Sequence, residues 1–121
     1  MFFPFAFTGV CTTELCSVRD GIGFYNDSDT TVLGISVDSP FTLGQFKATQ
    51  ELNFDLLSDF NKTASQDYGA YYDEFVAMGL KGVSKRSAFV VDKEGIIQYA
   101  EVLESPGDLP NFEAIQAVLS K

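Results

Sequence analysis

What most narrows the folds open to this chain is the order in which its apolar periodicity changes. "MFFPFAF" opens with an aromatic, strand-like run, and Pro4 places a bend or an edge near its end. From about Val10 to Phe24 the spacing becomes helical, with Leu15, Val18 and Ile22 on one face. "TTVLGISV", Thr30 to Val37, is a β-branched strand. "DSPFTLGQFKATQEL" follows as a helix with Pro40 at its first position, where the missing N–H would have had no partner anyway. A short strand at Phe54 to Leu57 and a brief helix near Thr63 to Tyr68 come next. "SAFVVD" and "IIQYAEV" flank the turn "KEG" as a hairpin, and a last helix from about Pro110 to Leu119 turns Phe112, Ile115, Val118 and Leu119 inward.

Strand, helix, strand, helix, hairpin and closing helix predict a thioredoxin-like α/β sandwich, three layers around a mixed central β-sheet. With 121 residues, 45% of them hydrophobic, the chain is long enough for one domain over 1–121 and too short for two. No stretch approaches the roughly 18 apolar residues of a membrane span. "MFFPFAF" also lacks the basic flank and cleavage pattern of a secretory signal, so a soluble, cytoplasmic protein is expected. The net charge of −9 comes from 17 acids against 8 bases spread thinly along the chain. Nucleic acid is not an expected partner, because phosphate binding draws on a basic patch and none is present. A well-solvated acidic surface is the plain reading.

"FTGVCTTELC" holds both cysteines, Cys11 and Cys16. Two are too few for a disulfide scaffold in a chain with this much core. The spacing C-x-x-x-x-C is not the C-x-x-C of a thioredoxin-type disulfide reductase, and two sulfurs without any histidine leave a tetrahedral zinc half-liganded. Cys11 sits where a strand gives way to a helix, so unpaired backbone N–H groups and the helix dipole favour a thiolate there. Arg86, one of two arginines, adds a full charge if the sheet brings its strand beside that helix. Thr8 reads either as a helix-capping hydroxyl or as a hydrogen-bonding group for a substrate. Glu14 is a surface acid of the first turn or a partner for the arginine. Arg19 is a surface residue or a second member of that network. Cys16 is an inert filler of the helix face or a redox partner of Cys11.

"PFAFTGVC" sets Pro4, Thr8 and Cys11 in the spacing P-x-x-x-T-x-x-C, and "KRSAFVVDKEGII" supplies the arginine just before a strand-turn-strand. Together they resemble the peroxiredoxin family, and within it most of all the bacterioferritin-comigratory and alkyl hydroperoxide reductase E types. The likeness runs through "LGISVDSP" and "FDLLSDF" as well. It implies a thiol peroxidase that reduces hydrogen peroxide and organic hydroperoxides. In that reading Cys11 is the peroxidatic cysteine and becomes a sulfenic acid. Thr8 holds the peroxide oxygens in line, Arg86 stabilises the charge developing as the O–O bond breaks, Pro4 shields the thiolate from water, and Glu14 anchors the arginine. Cys16, five positions on, matches the resolving cysteine of the comigratory type. A thioredoxin-like or other thiol reductant closes the cycle, and no metal, flavin or nucleotide cofactor is implied. A homodimer is implied too, with the loop around Ser39, Pro40 and Phe41 joining the segment near Lys85. Family members carry further residues ahead of the "FFPFAF" strand, so the chain is expected to be N-terminally truncated relative to them.

An ideal helix puts residues five apart at a Cα distance of about 8.6 Å. A disulfide needs less than about 7 Å, so the two cysteines bridge only if the helix between them unwinds. Phe3, Phe5, Phe7 and Phe41 read either as an apolar flank favouring alkyl or lipid hydroperoxides or as ordinary core. Two alternatives stand beside the two-cysteine peroxidase: a one-cysteine enzyme recycled by external thiol, and a non-enzymatic redox or binding domain.

Overall fold

A computed structural model of the chain describes residues 1–75 and 78–121. Helix α1 spans Gly9–Asp20 and α2 Ile22–Asp27; strand β1 (Leu33–Ser36) leads into helix α3 (Pro40–Thr49). Strand β2 (Asp55–Ser58), helix α4 (Thr63–Asp67) and the short strands β3 (Tyr71–Tyr72) and β4 (Val83–Ser84) follow. Strands β5 (Ser87–Val91) and β6 (Ile97–Val102) precede helix α5 (Phe112–Leu119).

The opening aromatic run forms much less strand than its composition predicts. Only Phe2 bridges, parallel to Ile35 of β1 and antiparallel to Ser87 of β5. Its N–H donates to the Ser87 carbonyl at 2.9 Å and its carbonyl accepts from Ser87 N at 3.1 Å. Phe3 N donates to the Ile35 carbonyl at 2.9 Å. These bonds join parallel β1–β2 to antiparallel β5–β6 as one mixed sheet, in the order β2, β1, Phe2, β5, β6. Pro4 then ends the pairing, as a residue with no N–H to donate must.

Alternation across this short stretch sends two phenylalanines to opposite faces. Phe3 packs with Cys11, Leu15 and Val18 of α1, Leu43 and Phe46 of α3, and Ile115 of α5 in the main core. Phe2 meets Tyr68 and Phe89 on the other face, at ring-centroid distances of 5.5 and 5.9 Å. Phe112 and Leu119 of α5 are partly buried against the main core, and Ile115 is its buried residue.

Local chemistry explains the helix ends. The predicted helix over Val10 to Phe24 breaks at Gly21, whose N–H closes α1 on the carbonyls of Ser17 and Val18 at 3.1 Å. Helix α3 starts at Ser39, whose hydroxyl accepts from Thr42 N at 3.1 Å, with Pro40 at the first position. In the β5–β6 turn the Asp92 carboxylate accepts from the N–H of Glu94 and of Ile96 at 2.9 Å each, and burial plays little part in holding that turn. The pair β3 and β4, two residues each, carried no periodic signal to find. Among the described residues, no helix is long and apolar enough to cross a membrane.

Candidate active site

The end of the Phe2 segment and the start of α1 create the site. After Pro4, which is buried, Phe7 takes a left-handed backbone with φ 65°, and Thr8 occupies the N-cap position of α1. Left-handed φ is costly for a bulky residue, so this turn persists because its surroundings hold it. Two hydrogen bonds do so: Thr8 Oγ1 donates to the Phe5 carbonyl at 2.7 Å, and Ala6 N donates to Asp38 Oδ2 at 2.8 Å. The capping reading of Thr8 is thereby corrected, since its hydroxyl makes no cap bond to α1. Its lone pairs stay available to accept a hydrogen bond from outside the turn.

Cys11, in the first turn of α1, is 1% exposed. Sheet pairing brings Ser87 alongside Phe2, and this carries the preceding residue, Arg86, to the same helix turn. Arg86 Nη1 lies 3.3 Å from Cys11 Sγ and 2.7 Å from Glu14 Oε1, while Nη2 donates to the Pro106 carbonyl at 2.8 Å. Arg86 and Glu14 are 1% and 0% exposed, which overturns the surface reading of Glu14. Burial pushes the Glu14 carboxyl from its ordinary 4.5 up to about 7, with the Arg86 cation pulling the other way. Burial also opposes the charge on Arg86, yet Glu14 and Cys11 more than offset it and hold the guanidinium more firmly protonated than usual. Glu14 Oε2 and Arg86 Nε have no hydrogen-bond partner among the described residues.

Sequence reasoning missed the backbone acceptor. A carbonyl at Pro106, twenty residues past the arginine, leaves no side-chain signature; the loop carrying it is tied down by Lys85 Nζ to Glu104 Oε1 at 2.9 Å and by Tyr72 Oη donating to the Glu104 carbonyl at 2.7 Å. Arg19 stands outside the Cys11 group and bonds instead to Asp20 at 2.9 Å and to the Gln50 carbonyl at 2.7 Å. Cys16 is half-buried and donates to Gln50 Oε1 at 3.5 Å; both cysteines are free thiols. Of the four flanking phenylalanines Phe3 is core and Phe5 is half-buried, whereas Phe7 and Phe41 are 51% and 87% exposed.

The site is thus a buried thiol with a guanidinium at hydrogen-bond distance and a carboxyl group fixing that guanidinium. The sequence model of the AhpC/TSA family matches residues 1–100. The chain belongs to the AhpC/TSA family. Alkyl hydroperoxide reductase E of Mycobacterium tuberculosis is 38% identical over 111 residues, covering 90% of this chain and 68% of that protein. Among solved structures, peroxidoxin BcpB from Mycobacterium tuberculosis superposes with a TM-score of 0.84 at 26% identity, covering 98% of this chain and 75% of that one. Mycobacterium tuberculosis AhpC does so with a TM-score of 0.80 at 31% identity, and this chain spans 65% of its length. The thioredoxin-like α/β sandwich expected from the order of elements is the fold of this AhpC/TSA chain.

Proposed function

We propose that the chain is a thiol-dependent peroxidase that reduces hydrogen peroxide and organic hydroperoxides through Cys11. The contact of Arg86 Nη1 with Cys11 Sγ at 3.3 Å carries the reading, because only the thiolate attacks a peroxide and a cation beside the sulfur is the partner that attack calls for. The first turn of α1 adds its unpaired N–H groups and the positive end of its dipole. The thiolate attacks one peroxide oxygen, an S–O bond forms as the O–O bond breaks, Cys11 becomes a sulfenic acid, and the departing hydroxide or alkoxide takes a proton to give water or an alcohol. Arg86 meets the charge that develops on the oxygens, Thr8 Oγ1 accepts from the peroxide O–H, and Pro4 keeps water off the sulfur. Glu14 aims the guanidinium. The substrate is neutral, so positioning and fixed charge supply the catalysis with no bound cofactor.

Cys16 thiolate then attacks the sulfenic sulfur, and the resulting disulfide is reduced by a thioredoxin-like or other thiol in the cytoplasm. A single catalytic domain over 1–121 that pairs as a homodimer completes the reading; the exposed Phe41 at the start of α3 supports an apolar contact there. Sedimentation at micromolar concentration is expected to show a dimer, and a monomer alone would remove that part.

Stopped-flow mixing of the reduced protein with hydroperoxide tests the activity. Rapid loss of one thiol per peroxide is expected. Reaction no faster than free cysteine would leave a non-enzymatic domain. Rapid reaction with Cys16 still freely alkylatable would make it a one-cysteine enzyme.

A further inference from the structure

Helix α1 is gripped near its start by Arg86, through Cys11 and Glu14, and near its end by the chain just past α3. At the Cys11 end, the N-cap residue makes no side-chain cap bond, and Thr12 and Thr13 turn their hydroxyls back onto the carbonyls of Thr8 and Gly9. At the Cys16 end, the chain just past α3 grips the helix at three points. Arg19 Nη1 donates to the Gln50 carbonyl at 2.7 Å, Asn53 Nδ2 donates to the Arg19 carbonyl at 3.1 Å, and Cys16 Sγ donates to Gln50 Oε1 at 3.5 Å. Gln50 is itself fixed, since its N–H closes α3 on the Phe46 carbonyl at 3.0 Å and Phe46 is fully buried.

We propose that Gln50 is a positioning residue for Cys16: it holds the thiol in its helical place and so sets how long a Cys11 sulfenic acid survives before resolution. The proposal rests on the two-cysteine reading above. In the step concerned, Cys16 loses its proton, its sulfur forms a bond to Cys11 Sγ, the S–O bond of the sulfenic acid breaks, and the departing hydroxide takes a proton to become water. The S–H to Gln50 bond exists only before that step. It therefore stabilises the starting state alone and acts as a brake. Arg19 keeps the brake engaged by fixing the Gln50 backbone.

Two substitutions separate this role from simple packing. Gln50→Leu removes the acceptor, and resolution is expected to quicken about two- to tenfold, the worth of one net hydrogen bond. Gln50→Glu keeps an acceptor oxygen and adds a negative charge that opposes the Cys16 thiolate, so resolution is expected to slow. The readout is the rate of Cys11–Cys16 disulfide formation after one equivalent of hydrogen peroxide, by rapid quench and non-reducing peptide mapping, with the peroxide step timed separately. Alkylation of Cys16 by iodoacetamide in a Cys11→Ser background, which needs no peroxide, is expected to follow the same order: Leu fastest, wild type between, Glu slowest. Equal rates in all three proteins, or Leu and Glu variants shifted in the same direction, would overturn the assignment. If hydrogen peroxide leaves Cys11 untouched, the peroxidase reading fails on its own, and the alkylation order still decides whether Gln50 restrains Cys16.

Discussion

Arg86 shares one buried charge between Cys11 and Glu14, and the proposed chemistry turns on that sharing. Its guanidinium reaches Cys11 Sγ at 3.3 Å and Glu14 Oε1 at 2.7 Å in a place where water cannot help either one. Arg86→Met keeps the bulk and removes the cation, so the reaction of Cys11 with hydroperoxide is expected to slow by about 10²–10³, the usual loss for one preorganised charge-stabilising donor. Stopped-flow measurement checks this, and an unchanged rate would take Arg86 out of the proposed mechanism. Glu14 gives the second test. Its carboxyl titrates near about 7 when folded, above its ordinary 4.5, so between those values the folded state holds more protons than the unfolded. Its contribution to stability is complete below 4.5 and is lost as pH rises through about 7. Glu14→Gln retains an acceptor for Arg86 without the titration. Urea unfolding from pH 4.5 to 7.5 should show wild type losing stability relative to Glu14→Gln across that window; parallel curves would mean that Glu14 is not held protonated by burial.

At the scale of elements, the two-cysteine cycle proposed above gives α1 two jobs that conflict. It must be helical to aim N–H groups at Cys11, and it must open to let Cys11 reach Cys16, because an intact helix keeps their Cα atoms about 8.6 Å apart. Leu15 and Val18, 0% and 2% exposed, anchor its middle and end in the core. Thr12 and Thr13 are poor helix formers in the half that holds the nucleophile. Oxidation with one equivalent of peroxide is expected to yield a Cys11–Cys16 link and faster amide exchange across residues 11 to 16 than in the reduced protein. Unchanged exchange with both thiols separated would count against opening of α1.

For the molecule as a whole, residues 1–3 join the two halves of the sheet. The parallel pair β1–β2 and the hairpin β5–β6 meet through Phe2 and its neighbours, and the same bridge delivers Arg86 to α1. Phe2 is 2% exposed and meets Tyr68 and Phe89. Phe2→Ala keeps the backbone bonds and empties that face, so it is expected to cost about 3–5 kcal/mol of stability in chemical denaturation. A loss under about 1 kcal/mol would mean that the aromatic cluster repacks around the gap.

The order of elements was legible in the sequence because helix and strand periodicity are local properties: the "KEG" hairpin, the Ser39–Pro40 helix start and the apolar face of α5 need only neighbouring residues to be read. The place of Cys11 in the first turn of a helix was legible for the same reason. Gly21 broke a helix that periodicity alone carried on to Phe24, and Pro4 cut short a strand that aromatic content extended to Phe7. What only tertiary structure decided was pairing across distance. Residue types do not say that Glu14 is buried, that Arg19 turns to Gln50 instead of Cys11, or that the Pro106 carbonyl completes the grip on Arg86. The Arg86 contacts depend on which strand lies beside Phe2 and the Arg19 contact on how α1 lies against the end of α3, and strand register is set by the packing of two sheet faces at once, which no window of sequence contains.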